Sequence, residues 1–153
     1  MPDHKPDFPP EYELLLEEHR ELIASITEFQ EWWGQVDELG VPRFAEMGDR
    51  LQRLRDLVIR HFADEEAGGY LTGVLEVAPQ LSREIDELRP QHDELLETLD
   101  DFICRLKCDA PPFESWQAAG HEFDAFLADL RRHEGRENAV VQTAYGHDIG
   151  TGD

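Results

Sequence analysis

Cysteine is scarce in this chain of 153 residues, and so is positive charge. The two cysteines, Cys104 and Cys108, stand four apart among charged neighbours, which is no disulfide framework. They read as two lone thiols near a turn, with metal binding or a response to oxidant as the alternative. Lys and Arg number 14 against 35 Asp and Glu, a formal charge of -21. Such a field repels nucleic acid and anionic membranes, and neither is an expected partner. No apolar run approaches the ~18 residues that a membrane-spanning helix needs. Residues 1–7 are polar and hold no apolar signal region, so a cytoplasmic protein is expected. A glycine-rich phosphate loop, a dinucleotide fingerprint and a serine-nucleophile motif are also missing. What is present is 40% hydrophobic content, too much for a disordered acidic tail, in a length that fits one domain with a real core.

The apolar residues fall into four helical stripes separated by glycine and proline. Pro9 and Pro10 open a first helix over about residues 11–33, with Tyr12, Leu15, Leu22, Ile26, Phe29 and Trp33 at three- and four-residue steps. Gly34, Gly40 and Pro42 break it. A second helix over about 43–66 places Met47, Leu51, Leu54 and Val58 on one face and stops at Gly68-Gly69. The third, over about 79–107, carries Ile85, Leu88, Leu95, Leu96, Leu99, Phe102 and Leu106. Pro90 removes a backbone bond within it, which predicts a kink or a fresh start just before His92. A fourth helix over about 113–145 carries Trp116, Phe123, Phe126, Leu127, Leu130, Val140 and Val141. The expected fold is all-α: an up-down-up-down four-helix bundle over residues 11–145. A flexible segment, 1–10, precedes it, and the glycine-rich residues 146–153 form a tail or a cap over the bundle end.

Six polar residues take places in these stripes that Leu or Val would otherwise hold. His19 stands between Leu15 and Leu22; His61 and Glu65 continue Leu51, Leu54 and Val58. His92 lies between Leu88 and Leu95, and His133 with Glu137 lies between Leu130 and Val140. Burying four imidazoles and two carboxylates is costly unless partners satisfy them. In an up-down-up-down bundle all six also reach the same end, so face and height agree. The two His-x-x-x-Glu steps put His and Glu one above the other on a helix face. Nitrogen and carboxylate donors together suit iron, with zinc or manganese as alternatives, rather than calcium. Two ions are expected, each with two histidines, with Glu65 and Glu137 bridging and water, oxo or hydroxo groups completing the shells.

The order of one His, His-x-x-x-Glu, one His, His-x-x-x-Glu resembles the hemerythrin-like family with the HHE cation-binding domain. It rests on Glu18-His19-Arg20-Glu21-Leu22, His61-Phe62-Ala63-Asp64-Glu65-Glu66, Gln91-His92-Asp93-Glu94-Leu95 and His133-Glu134-Gly135-Arg136-Glu137. The resemblance implies a left-handed up-down bundle with a non-haem di-iron centre. It further implies binding of O2, peroxide or nitric oxide, for carriage, storage, sensing, iron handling or oxidative and nitrosative defence. One departure concerns a second histidine that the oxygen carriers place one turn after the third-helix His. Here Leu96 stands there, which leaves one iron an imidazole short and makes it an apolar wall. That favours a sensor, a store or a peroxide-reactive protein over a carrier. The other readings are a di-iron enzyme, peroxide-decomposing or ferroxidase-like, and an iron- or oxygen-responsive regulatory module.

Around the six, Tyr12, Tyr70 and Tyr145 are expected near the same bundle end, as caps or, for Tyr70 first, as a ligand. Phe62 and Leu95 are candidate pocket walls, and Gly135 permits close helix approach. Glu97 points about 140° away from His92 and reads as surface. His121 is expected outside the site, His4 and His147 in the chain ends, and Trp32, Trp33 and Trp116 at the far end of the bundle.

Overall fold

A computed structural model describes residues 10–39, 44–67, 70–108 and 112–146. They form α1 (Pro10–Leu39), α2 (Phe44–Ala67), α3 (Tyr70–Val77), a 3-10 turn (Pro79–Leu81), α4 (Ser82–Leu106) and α5 (Trp116–Tyr145). The four long helices close a ring of neighbours, α1 on α2, α2 on α4, α4 on α5 and α5 back on α1. Among the described residues there is no strand, and no helix is long and apolar enough to cross a membrane. The expected all-α bundle is therefore the observed one.

Several boundaries move for identifiable reasons. α1 does not stop at Gly34 but runs on to Leu39, because Val36 is buried and continues the stripe. That burial offsets the ~1 kcal/mol a mid-helix glycine costs. α4 passes through Pro90 unbroken; Pro90 and Asp86, whose carbonyl it leaves unpaired, are both exposed. α5 begins at Trp116 rather than near residue 113, since the Ser115 hydroxyl accepts from the Ala118 amide at 3.0 Å and caps the helix. α3 lies between the second and third expected helices and is additional to the four. Its Leu71 and Val74 are buried against the end of the bundle.

The apolar interior is split in two. The larger cluster runs from Leu22 and Phe62 through Leu51, Leu99 and Leu130 to the aromatic end. There Trp33 stacks on Trp116 (ring centroids 4.1 Å apart) and Phe29 meets Phe123 edge to face. The smaller cluster joins Leu15, Ile85, Leu88, Val140 and Val141 to Leu71 and Val74 of α3, which covers that end of the bundle. Between the two lies a layer of buried polar side chains. Ion pairs such as Arg55–Asp100 and Arg105–Glu122 tie the helices at the surface, each contributing ~1 kcal/mol or less. Cys104 and Cys108 are free and exposed, with the Cys108 thiol donating to the Cys104 carbonyl at 3.3 Å.

Candidate metal centre

The polar layer contains all six residues expected from the stripes, and a seventh. His19 comes from α1, His61 and Glu65 from α2, His92 from α4, and His133, Glu134 and Glu137 from α5. Every one is at most 5% exposed, among the most buried side chains of the molecule. Their donor atoms gather into two groups, each within a 4.8 Å span: His19, His61, Glu65 and Glu134, and then Glu65, His92, His133 and Glu137. Glu65 belongs to both, one oxygen turned to each. Its Oε1 lies 2.5 Å from His61 Nε2 and 3.5 Å from His19 Nε2, and its Oε2 lies 3.1 Å from His92 Nε2. Glu134 Oε2 stands 2.6 Å from His19 Nε2 and 3.1 Å from His61 Nε2. In the second group Glu137 closes on His133, one turn before it, and lies 3.6 Å from His92 Nε2.

Proximity here is mostly not hydrogen bonding. His19, His92 and His133 Nε2, both oxygens of Glu65 and Glu137, and Glu134 Oε1 are buried without a directed hydrogen-bond partner. Orphaned donors and acceptors at this depth are costly. Atoms bound to one ion explain the spacing: donors ~2.1 Å from a metal and at right angles to each other stand about 3 Å apart. The Nε2–carboxylate separations bracket that value, and the nitrogen-and-carboxylate set fits a transition-metal pair.

The far side of each imidazole is fixed. His19 Nδ1 faces Asn138 Oδ1 at 2.9 Å, His61 Nδ1 faces Glu18 Oε2 at 3.3 Å, His92 Nδ1 faces Glu66 Oε1 at 3.1 Å, and His133 Nδ1 faces Gln91 Oε1 at 2.8 Å. Each oxygen can only accept, so Nδ1 carries a hydrogen and Nε2 is the atom turned to the centre, where it holds a proton or, once that proton leaves, offers its lone pair. Phe62 stacks flat on His92, centroids 4.0 Å apart, and meets His133 edge-on.

Without metal the centre is a network of opposite charges. Burial disfavours the imidazolium at His19, His61 and His92, but the facing carboxylates outweigh it. Glu134 and Glu65 push His19 up to about 9 and His61 up to about 11; Glu137 and Glu65 push His92 up to about 10. Burial likewise opposes ionisation of Glu65 and Glu134, yet His19 and His61 hold both below the usual carboxylate range. Glu137 goes the other way, raised by burial and by the neighbouring Glu65 against the pull of His133 and His92. Protons thus occupy the role that metal charge would take.

Some expectations need correction. Glu137 does not share itself between the two groups as Glu65 does: it is one turn from His133 and reaches only the His92–His133 side, while Glu134 serves the His19–His61 side. Leu96 is half-buried and packs against the large core, and Leu95, one residue earlier, is the buried one. Tyr145 is a cap, packed on the α3 cluster with its hydroxyl 3.3 Å from where a side chain on Gly73 would begin. The side chains of Tyr12 and Tyr70, and the whole of His4 and His147, lie outside the described residues. Gly135 is exposed with open space around it, so no close approach depends on it. His121 and Glu97 are exposed and join neither group, and Trp33 and Trp116 do lie in the cluster away from the α3 end.

Glu134 lies inside the His133–Glu137 step, whose spacing alone does not mark it. The signal existed: Phe123, Leu127, Leu130, Glu134, Glu137 and Val141 advance by alternating steps of four and three along one buried stripe.

The family described as hemerythrin HHE cation binding domain matches residues 11–145. No curated protein and no solved structure gives a significant match.

Proposed function

The chain belongs to the hemerythrin HHE cation-binding family, and from that premise we propose that it is a non-haem di-iron protein that binds dioxygen or a small relative such as peroxide or nitric oxide. The observation that carries this reading is the convergence of four imidazole Nε2 atoms and three buried carboxylates on two adjacent points, with most of those atoms lacking any other partner. His19, His61 and Glu134 would hold one ion, His92, His133 and Glu137 the other, and Glu65 both. Bound iron would supply a one-electron couple and open coordination positions for a small ligand.

The protein's own side chains do the rest. Asn138, Glu18, Glu66 and Gln91 hold the four rings so that Nε2 stays aimed. Phe62 lies against His92 and His133, and the apolar clusters on either side of the layer keep bulk water from its ends. Each position has two imidazoles, one carboxylate of its own and a share of Glu65, fewer donors than the roughly five or six that iron takes. Ions held there would keep open coordination positions, which supports binding of a small ligand at the pair. A cavity of about 290 Å³ between α4 and α5, with His133 and Leu95 among its lining residues, favours peroxide decomposition as a second reading, since a further reactant can approach there. Exposed free thiols at Cys104 and Cys108 support a reducing, cytoplasmic setting.

The test is metal content per chain on protein made without tag or added metal, with its absorption spectrum before and after reduction and re-exposure to air. Two irons and near-ultraviolet absorption that bleaches on reduction are expected. Zinc, or no metal after anaerobic iron loading, overturns the redox function. Sustained peroxide loss over many turnovers would move the assignment to the enzymatic reading.

A further inference from the structure

The four residues that hold the histidines from behind obey one rule. Glu18, beside His19 on α1, holds His61 on α2; Glu66, beside Glu65 on α2, holds His92 on α4. Gln91, beside His92 on α4, holds His133 on α5; Asn138, beside Glu137 on α5, holds His19 on α1. Each holder adjoins a ligand of its own helix and grips a ligand of the next, and the four contacts close a ring around the bundle. Adjacent residues on a helix point about 100° apart, so a neighbour of an inward ligand faces sideways at the next helix.

The ring contains two kinds of link. α1 and α2 carry the histidines of one metal position, and α4 and α5 carry those of the other. Glu18 and Gln91 act within a position. Glu66 and Asn138 cross between positions: Glu66 reaches from α2 to His92, and Asn138 from α5 back to His19.

We propose that Glu66 and Asn138 are positioning residues that couple the two metal positions, so that filling one prepares the other. Fixing Glu137 on an ion fixes its neighbour Asn138, which aims His19 of the opposite position. Fixing Glu65 fixes Glu66, which aims His92. The coupling is reciprocal, as linkage requires. It rests on the two-metal reading above.

Two double variants separate this from a general loosening of the site. Glu18→Ala with Gln91→Ala, and Glu66→Ala with Asn138→Ala, each release one histidine at each position. Both should weaken intrinsic binding by about 10–100-fold, and Glu65 is shared equally in both. Metal-free protein is titrated with Co(II) without oxygen and counted by native mass spectrometry. At one equivalent, wild type and the within-position double variant should show mainly chains with no ion or two. The crossing double variant should show mainly chains with one ion, and Glu66→Gln with Asn138→Asp, which keep an accepting oxygen, should restore the wild-type distribution. Should a double variant fail to fold, Asn138→Ala and Glu18→Ala each release one histidine of the same position and repeat the comparison. Equal distributions in the two classes overturn the coupling and leave the two-metal site standing. Wild type that never takes a second Co(II) overturns the two-metal reading itself.

Discussion

Metal entry must displace the protons that now balance the centre, and the number can be worked from the structure. His19, His61 and His92 are pushed up to about 9, 11 and 10, so at pH 7 all three imidazoles are protonated in the metal-free protein. A ligating Nε2 cannot keep its proton. Loading both positions therefore releases about three protons, and Glu137, whose carboxyl is raised by burial and by Glu65, can only add to this. Each displaced proton changes the binding constant tenfold per pH unit, about 1.4 kcal/mol. The overall two-ion constant should rise about a thousandfold, or about 4 kcal/mol, for each pH unit between about 6.5 and 9. Calorimetry with Co(II) in two buffers of different ionisation enthalpy reads the proton count directly. Release of fewer than one proton per chain at pH 7 would refute the charge network described here. The same shifts set metal-free stability. The three histidines have folded values above the ordinary 6.5, so their contribution is complete below that pH and is lost as pH rises through about 9 to 11. Glu65 and Glu134 are lowered from 4.5, so theirs is present above 4.5 and is lost as pH falls.

Glu134→Leu should bring metal content from two ions towards one, as should His61→Ala, whereas His121→Ala should leave it at two; elemental analysis decides, and equal retention in all three would sink the ligand assignment. Phe62→Ala removes the ring stacked on His92 within the core and should cost about 3–5 kcal/mol in urea unfolding of the metal-free protein. Gly135→Ala adds a methyl into open space on an exposed turn of α5 and should stabilise by about 1 kcal/mol. Gly120→Ala would bring its methyl to 2.8 Å from the Trp33 indole nitrogen and should destabilise by about 1–3 kcal/mol, so the two melting temperatures should move in opposite directions.

The six candidate ligands were legible because each stands on a helical stripe where only burial makes sense of its neighbours. Periodicity reports which face a residue takes, and His19, His61, Glu65, His92, His133 and Glu137 all declare themselves that way. Glu134 declares itself by the same rule once the stripe, rather than the His-x-x-x-Glu step, is followed through Leu130 to Val141. The holders are another matter. Glu18, Glu66, Gln91 and Asn138 are exposed or half-buried, with no apolar pattern to mark them, and their partners lie 26 to 119 residues away. Their role depends on how far each helix is rotated against its neighbour, which spacing along one helix does not encode. The 8 residues of α3 are too few to establish a period, although its Leu71 and Val74 pack into the cluster at that end of the bundle.

The split interior has a kinetic meaning. Along the bundle axis an ion at the centre meets hydrocarbon in both directions, the aromatic core on one side and the α3 plug on the other. Neither route offers a stepping stone for a charged species. Exchange must then be lateral; the cavity between α4 and α5 brings solvent nearest, as far as the buried His133, and beyond it the two helices need to part for a moment. The pace of metal loss becomes a property of the bundle's breathing, so a chelator in large excess should strip the protein no faster than a modest one.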